Sequence, residues 1–580
     1  MNSITATSSD ISNSNTASSA AGNIAINSID RPRQNWVLSP LQDSLLVIVA
    51  PLITLAMALV SLRWFGSVKG ATIILISHVV FTVAHHLPTF IRVYGDIDLF
   101  RRYRWHFICA PLISLTCCLS VLGYLNLNEY PLENFMFLYI LLTLWDPWHF
   151  MRQHYGFMRI YDRVSAAPPA IATRMDLLLS ISWFAYIMVA SGDWMFDLLH
   201  DMYTRTEWPL LMMLTQNGVH TLTVILRLLA WSMSAAYLGY VMWCWKKRYA
   251  VSVPKLLMCL TTFGVMYLTY TPNSVIQSIA PGWTFKVGFA VIGIVHMSQY
   301  LAIVWRYNRK LTMRDDRART GVFRWIHSRG TWWAAGIYVV ACLVYGDVVT
   351  TVHNSAWLMS LLLAVGFTST MMHYYFDGFI WKIHHTQNQE MLVTTTLAES
   401  SPIEGTSWWS GKSSTSGWKV LAKQMAYFAV PMTVLTFASF PTWSHRGDTY
   451  ITHMYHAQEL NQQGFGNAAE QEARTAYQLM RSQLPLAAKL VELEPSASRR
   501  ADLAFLIYNE SLYENVVMPV LDGQSPTNER IAKHHEATRS AIAVMNQAIA
   551  SGESLAHAGR ETFNARDAQH IVASWQKQVG

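Results

Sequence analysis

Runs of mostly apolar residues, each long enough to cross a bilayer, recur along most of this chain and leave it few ways to fold. Inside a bilayer every backbone N–H and C=O must be satisfied within the protein, so a run of about 20 apolar residues reads as a helix. Such runs fall near residues 43–62, 70–90, 105–125, 134–155, 176–197, 219–243, 254–272, 284–305, 330–350, 356–381 and 418–440. They predict an all-α fold, a polytopic transmembrane helical bundle of about eleven spans with a C-terminal soluble helical domain. The charge content agrees, because only 14% of the residues are charged, against about a quarter in soluble domains.

The basic residues give the bundle a direction. Cytoplasmic loops accumulate Lys and Arg. Here the second connection holds Arg92, Arg101, Arg102 and Arg104, and the fourth holds Arg159, Arg163 and Arg174. The sixth holds Lys246, Lys247, Arg248 and Lys255, and residues 306–329 carry the densest basic run, including Arg306, Arg309, Lys310 and Arg317. The alternate loops 126–133, 273–283 and 351–355 contain no Lys or Arg. The reading is a bacterial inner-membrane protein with its N-terminus in the cytoplasm and its C-terminal domain outside. Tryptophans at span ends, such as Trp105, Trp145, Trp148, Trp305 and Trp381, fit an interfacial belt.

Outside the spans the composition shifts. Residues 1–40 are Ser, Asn and Ala rich and lack the basic start and apolar run of a signal peptide, which predicts a disordered tail. The transmembrane domain runs over 41–396, a Ser/Gly/Trp linker over 397–417 and the last span over 418–440. Residues 441–580 form the soluble helical domain, with amphipathic patterns at 466–491 and 528–550 that could dock a protein partner. The six cysteines show no CxxC spacing, so neither a zinc ribbon nor a disulfide framework is indicated. No basic patch with interleaved aromatics points to nucleic acid.

The 21 histidines carry most of the functional signal. His78 and His85 lie seven apart on one helical stripe, which Thr89, Arg92 and Asp96 continue, and His86 follows His85. The fourth span ends in Asp146-Pro-Trp-His149-Phe-Met-Arg-Gln-His154, an HxxxxH box preceded by a carboxylate. The eighth span carries His296-Met-Ser-Gln299-Tyr300. The tenth carries His373 and Asp377, four apart and so on one face, with His384 and His385 beyond. The topology brings His85, His86, His149, His154, His296 and His373 toward the cytoplasmic end of four different spans. A lone membrane histidine is usually a packing residue, worth about 0.6 kcal/mol, and His106, His220 and His353 are read that way or as exposed in loops. An intramembrane carboxylate costs about 2.5–3.5 kcal/mol on insertion scales, so Asp146 and Asp377 need partners. A metal site, a proton- or cation-handling cavity and a purely structural network all meet these constraints. Six imidazoles exceed the ligand set of one zinc, which favours two metals, and helical bundles build such sites from inward residues at one depth.

The His149-to-His154 box, with His85-His86 before it and His373 after it, resembles the histidine boxes of integral-membrane non-haem di-iron desaturases and hydroxylases. The usual HxxHH boxes are missing. Bacterial membrane-bound carotene-cleaving oxygenases are similar in being polytopic and histidine rich. The resemblance implies a metal-dependent, two-iron oxidoreductase in which His85, His86, His149, His154, His296, His373, Asp146 and Asp377 hold or orient the metal. It implies O2-dependent oxidation of a lipid, hydrocarbon or isoprenoid substrate drawn from the bilayer, with an electron-donor protein as partner. The rival readings are a proton- or cation-coupled transporter and a non-catalytic membrane assembly factor.

Overall fold

The computed structural model describes residue 34 and residues 36–162, 167–206, 208–271, 273–281, 283–314, 321–328, 332–380, 417–445, 449–552 and 563–579. The expected disordered start up to residue 33, nearly all of the 397–417 linker, Arg317, His384 and His385 lie outside those residues. Among the described residues the regular structure is helical, with no strand.

Each of the eleven expected spans coincides with a helix. Among the described residues, eight helices are long and apolar enough to cross a membrane, or nine if the bent pair Pro40–Ile48 and Ala50–Phe65 is one span. The other two fall short for different reasons. Tyr139–Tyr161 has the length but carries Asp146, His149, Arg152, His154 and Arg159, and Ala335–Thr350 is apolar but short.

We number the bundle helices in chain order. They are α1 (Ala50–Phe65), α2 (Ser67–Ala84), α3 (His86–Gly95), α4 (Ile97–Leu127), α5 (Tyr139–Tyr161) and α6 (Pro169–Ala190). Next come α7 (Asp193–Thr206), α8 (Gln216–Lys246), α9 (Val253–Tyr270), α10 (Phe285–Arg314), α11 (Trp332–Thr350) and α12 (Ala356–Ile380). The last span is built from Gly417–Gln424, a π-turn and Val430–Ser439.

Helix α10 is the centre of the bundle. Its apolar window is 67% buried within the protein, against 11% for the peripheral α8. Close packing there depends on Gly288, where any Cβ would strike the carbonyl of Thr269 on α9; small residues let membrane helices approach this closely. Gly346 of α11 plays the same part against Val80 of α2. The bent first span is also tied to α10. Pro51 has no N–H to give the carbonyl of Val47, and that carbonyl accepts from Gln299 Nε2 at 2.8 Å. At the span's start the Asp43 carboxylate accepts the backbone N–H groups of Val37 and Leu38, at 2.7 and 2.9 Å.

Beyond the bundle come α13 (Tyr450–Gln462), α14 (Gly466–Leu493), α15 (Ala497–Leu512), α16 (Asn528–Ala550) and α17 (Ala565–Val579). Each packs on its neighbour in sequence. The seams are narrow because they are lined by alanine: Ala473 and Ala476 on α14, Ala497, Ala501 and Ala504 on α15, Ala541 and Ala548 on α16. The helical patterns read at 466–491 and 528–550 are thus the long helices α14 and α16. This array rests on the bundle through Leu486 and Leu493, which pack with Phe196 of α7 and with Leu211, while the Arg499 guanidinium lies 5.5 Å from the Phe196 ring. The end of the last span reaches the same side, where Asn134 Nδ2 donates to the Trp443 carbonyl at 2.9 Å.

Candidate metal centre

The centre begins at a break between α2 and α3. Pro88 cannot donate a backbone hydrogen bond to the carbonyl four residues back, and the helix restarts at His86 after His85. Neighbours on a straight helix point about 100° apart. Here both rings nonetheless meet His373 of α12, with centroids 4.4 Å away for His85 and 4.9 Å for His86. His149 of α5 adds a third ring 5.0 Å from His373, and it lies 5.2 Å from His296 of α10. His296 in turn lies 5.4 Å from His85. Asp377, one turn beyond His373, brings Oδ2 to 3.8 Å from Nε2 of both His149 and His373. All five histidines are buried, His86 and His373 completely. Five of the six expected histidines and one of the two carboxylates therefore converge from α2–α3, α5, α10 and α12.

Two expected residues fall elsewhere. His154 is buried but turned away, with its ring against Phe263 of α9 at 4.9 Å. Five residues rotate a helix by about 140° past a full turn, so an HxxxxH pair on one unbroken helix cannot share a face. Asp146 accepts from the Tyr374 hydroxyl at 2.8 Å, and Tyr374 packs its ring 4.6 Å from His149. Asp146 touches the centre only through that tyrosine. The stripe below His85 also ends early, because Arg92 pairs with Asp96 at 2.6 Å and lies 4.8 Å from the ring of Tyr307. His106, read as a packing residue, hydrogen-bonds the Tyr375 hydroxyl at 2.6 Å.

Of the polar side chains around the imidazoles, Thr89 falls on the His85 stripe read from the sequence and Tyr300 beside His296, while Ser369 and Tyr345 carry no signal in the sequence. Thr89 Oγ1 lies 2.8 Å from His373 Nδ1 and 2.7 Å from the Tyr300 hydroxyl. Tyr300 donates to Asp377 Oδ1 at 2.8 Å. Ser369 Oγ lies 3.1 Å from His86 Nδ1 and accepts from Tyr345 at 2.9 Å. Helical spacing also points to Tyr300, four residues past His296.

A transition metal fits these donors. Buried polar atoms almost always have partners. Yet, among the described residues, His85 Nδ1, His86 Nε2, His149 Nε2 and both nitrogens of His296 have no hydrogen-bond partner. Nε2 of His85 and Nε2 of His373 stand 3.0 Å apart. Two imidazoles bound to one ion at about 2.0–2.1 Å would hold their nitrogens about 3.0–3.4 Å apart. Among the described residues, two groups have ligand atoms within 4.8 Å of one another: His85, His296 and His373, and His149, His373 and Asp377. The second is a two-histidine, one-carboxylate set, the combination that suits non-haem ferrous iron.

Compared with protein-family models, with curated proteins and with solved structures, the chain has no match. The reading of this centre rests on its own geometry.

Proposed function

We propose that this chain is an integral-membrane, metal-dependent oxidoreductase whose centre holds iron. The observation that carries the reading is the convergence of five buried histidines and Asp377 with four imidazoles left short of partners. Its two donor sets, His85, His296 and His373 and His149, His373 and Asp377, meet at His373, with the His86 ring 4.9 Å from it. When bound, the iron would supply O2-dependent oxidation of an unactivated C–H or C=C bond. The protein's own residues hold the ligands in register, and the buried Phe150 packs its ring 5.3 Å from His296. A site enclosed by membrane helices suits a lipid, hydrocarbon or isoprenoid substrate entering from the bilayer, with electrons delivered by a separate donor protein. Asp146 then acts through Tyr374, and His154 is not a ligand.

The test is elemental analysis of protein purified in lipid nanodiscs, with about two irons per chain expected. One iron per chain would reduce the centre to the His149, His373 and Asp377 set. Metal-free protein with full activity would overturn the reading in favour of proton- or cation-coupled transport through the same groups.

The same proposal orients the chain, with eleven crossings, the N-terminus in the cytoplasm and the helical array α13–α17 outside. The array rests on α7 and lies beside the end of the last span, on the side of the Lys- and Arg-free loop 126–133. Reporter fusions after residue 317 and after Gly580 should report opposite sides, the first cytoplasmic. Finding both on one side would discard that orientation.

A further inference from the structure

His373 is held in place by a directional chain of hydrogen bonds. The Tyr300 hydroxyl has one proton, and it donates that proton to Asp377 Oδ1 at 2.8 Å. An ionised carboxylate only accepts, so the direction at this end is fixed. At its other contact, 2.7 Å from Thr89 Oγ1, the Tyr300 oxygen must then accept, and Thr89 must donate. Thr89 also has one proton, now committed to Tyr300. At 2.8 Å from His373 Nδ1 its oxygen can only accept, so that nitrogen must carry a proton.

We infer that Tyr300 and Thr89 are positioning residues that lock His373 in the Nδ1–H tautomer and leave the lone pair of Nε2 aimed into the centre. This deepens the metal reading proposed above but stands on hydrogen-bond direction alone. Nε2 of His373 is the atom 3.0 Å from His85 Nε2 and 3.8 Å from Asp377 Oδ2, where a shared ion would lie. With Nε2 of His373 bare, the 3.0 Å contact without metal takes its proton from His85 Nε2. Asp377 thereby serves the centre twice, with Oδ2 facing it and Oδ1 anchoring the chain that sets the imidazole. Thr89 and His373 are fully buried, and Tyr300 nearly so, so water does not supply competing donors. His86 provides the contrast: its chain through Ser369 and Tyr345 ends on no carboxylate, and nothing there dictates which nitrogen is protonated.

The experiment uses the full chain in nanodiscs, labelled with 15N-histidine, with His373→Gln subtracted to assign the His373 signals. Wild-type, metal-free protein should show a protonated Nδ1 and a bare Nε2. In Tyr300→Phe the Thr89 hydroxyl is released to donate to Nδ1, so the tautomer should switch to Nε2–H. Thr89→Val should lose the preference, and Thr89→Ser, which keeps the hydroxyl, should restore it. Ferrous iron and cobalt(II) affinity should fall about 10–100-fold in Tyr300→Phe and Thr89→Val, the usual loss when a group orienting a metal-bound histidine is removed. Thr89→Ser should bind as wild type does. An unchanged tautomer in Tyr300→Phe, or an Nε2–H form in the wild type, overturns the inference. A tautomer that switches as described in protein that binds neither metal would uphold the chain of hydrogen bonds and sink the metal reading.

Discussion

Among the described residues of the bundle, a buried ion cluster and the histidine cluster differ in that only the first is complete. Near the start of α6 and α9, Arg159 donates to Asp162 and Asp176 at 2.9 and 2.5 Å, and Lys255 reaches the same two carboxylates at 2.7 and 3.2 Å. Tyr237 adds a hydrogen bond to Asp176 at 2.8 Å. Two cations face two anions, and the charges balance inside the protein. The histidine cluster is assembled from as many helices, yet it leaves five ring nitrogens without partners. A buried network that satisfies itself is a structural device; one that leaves lone pairs converging on a common point is built for something the chain does not supply. The difference is one of hydrogen-bond accounting, since both clusters are buried and polar.

Substitutions should separate the two clusters. The largest expected effect is on metal: His149→Ala or His373→Ala should bring iron near background, with little change in the melting temperature of the metal-free protein. A large loss of stability without loss of metal would make the histidines structural and erase the contrast. Next, Asp176→Ala leaves Lys255 and Arg159 to share Asp162 alone, and breaking a buried pair on one side costs about 3–5 kcal/mol. Thermal unfolding in nanodiscs should show that drop while iron per folded chain stays unchanged. Iron lost from chains that remain folded would mean that the ion cluster belongs to the centre.

A smaller effect is expected from the array α13–α17. Every proposed ligand precedes it, so a chain cut after Ser444 should insert and keep its iron. Metal lost from a folded truncated chain would show the centre to be misplaced. Metal retained with loss of the cellular phenotype would instead support a partner-docking role for the array. The smallest effect concerns His534 in that array. Burial, with His535 beside it, lowers its pKa below 6.5. The folded state therefore prefers neutral imidazole. The stability this contributes is present above pH 6.5 and lost as pH falls through the lowered folded value. The stability advantage of wild type over His534→Gln should therefore shrink slightly between pH 8 and pH 5, and a growing advantage would reverse the assigned sign.

The spans were legible in the sequence because bilayer-length apolar runs leave the backbone only one local solution. The run that became α5 was visible by length, although its histidines and charged residues interrupt the apolar run. His373 and Asp377 were legible as a pair because four residues bring a helix back to the same face. The same arithmetic excludes His154 once α5 is seen to continue unbroken through it. Asp146 is different: only the packing of α12 against α5 puts Tyr374 between that carboxylate and the centre.

The sequence by itself determined that the chain is helical, which segments are apolar enough to cross a bilayer, and which residue types stand at their polar positions. These follow from backbone hydrogen bonding, hydropathy and helical periodicity, all local properties. Tertiary structure alone decided that His85, His86, His149, His296 and His373 meet, that His154 does not, and that Thr89 joins His373 to Tyr300 and Asp377. Those contacts join residues up to 288 positions apart. They depend on how α2–α3, α5, α10 and α12 rotate and slide against one another. Close approaches at residues such as Gly288 and Gly346 fix that packing, which periodicity along any one helix does not encode.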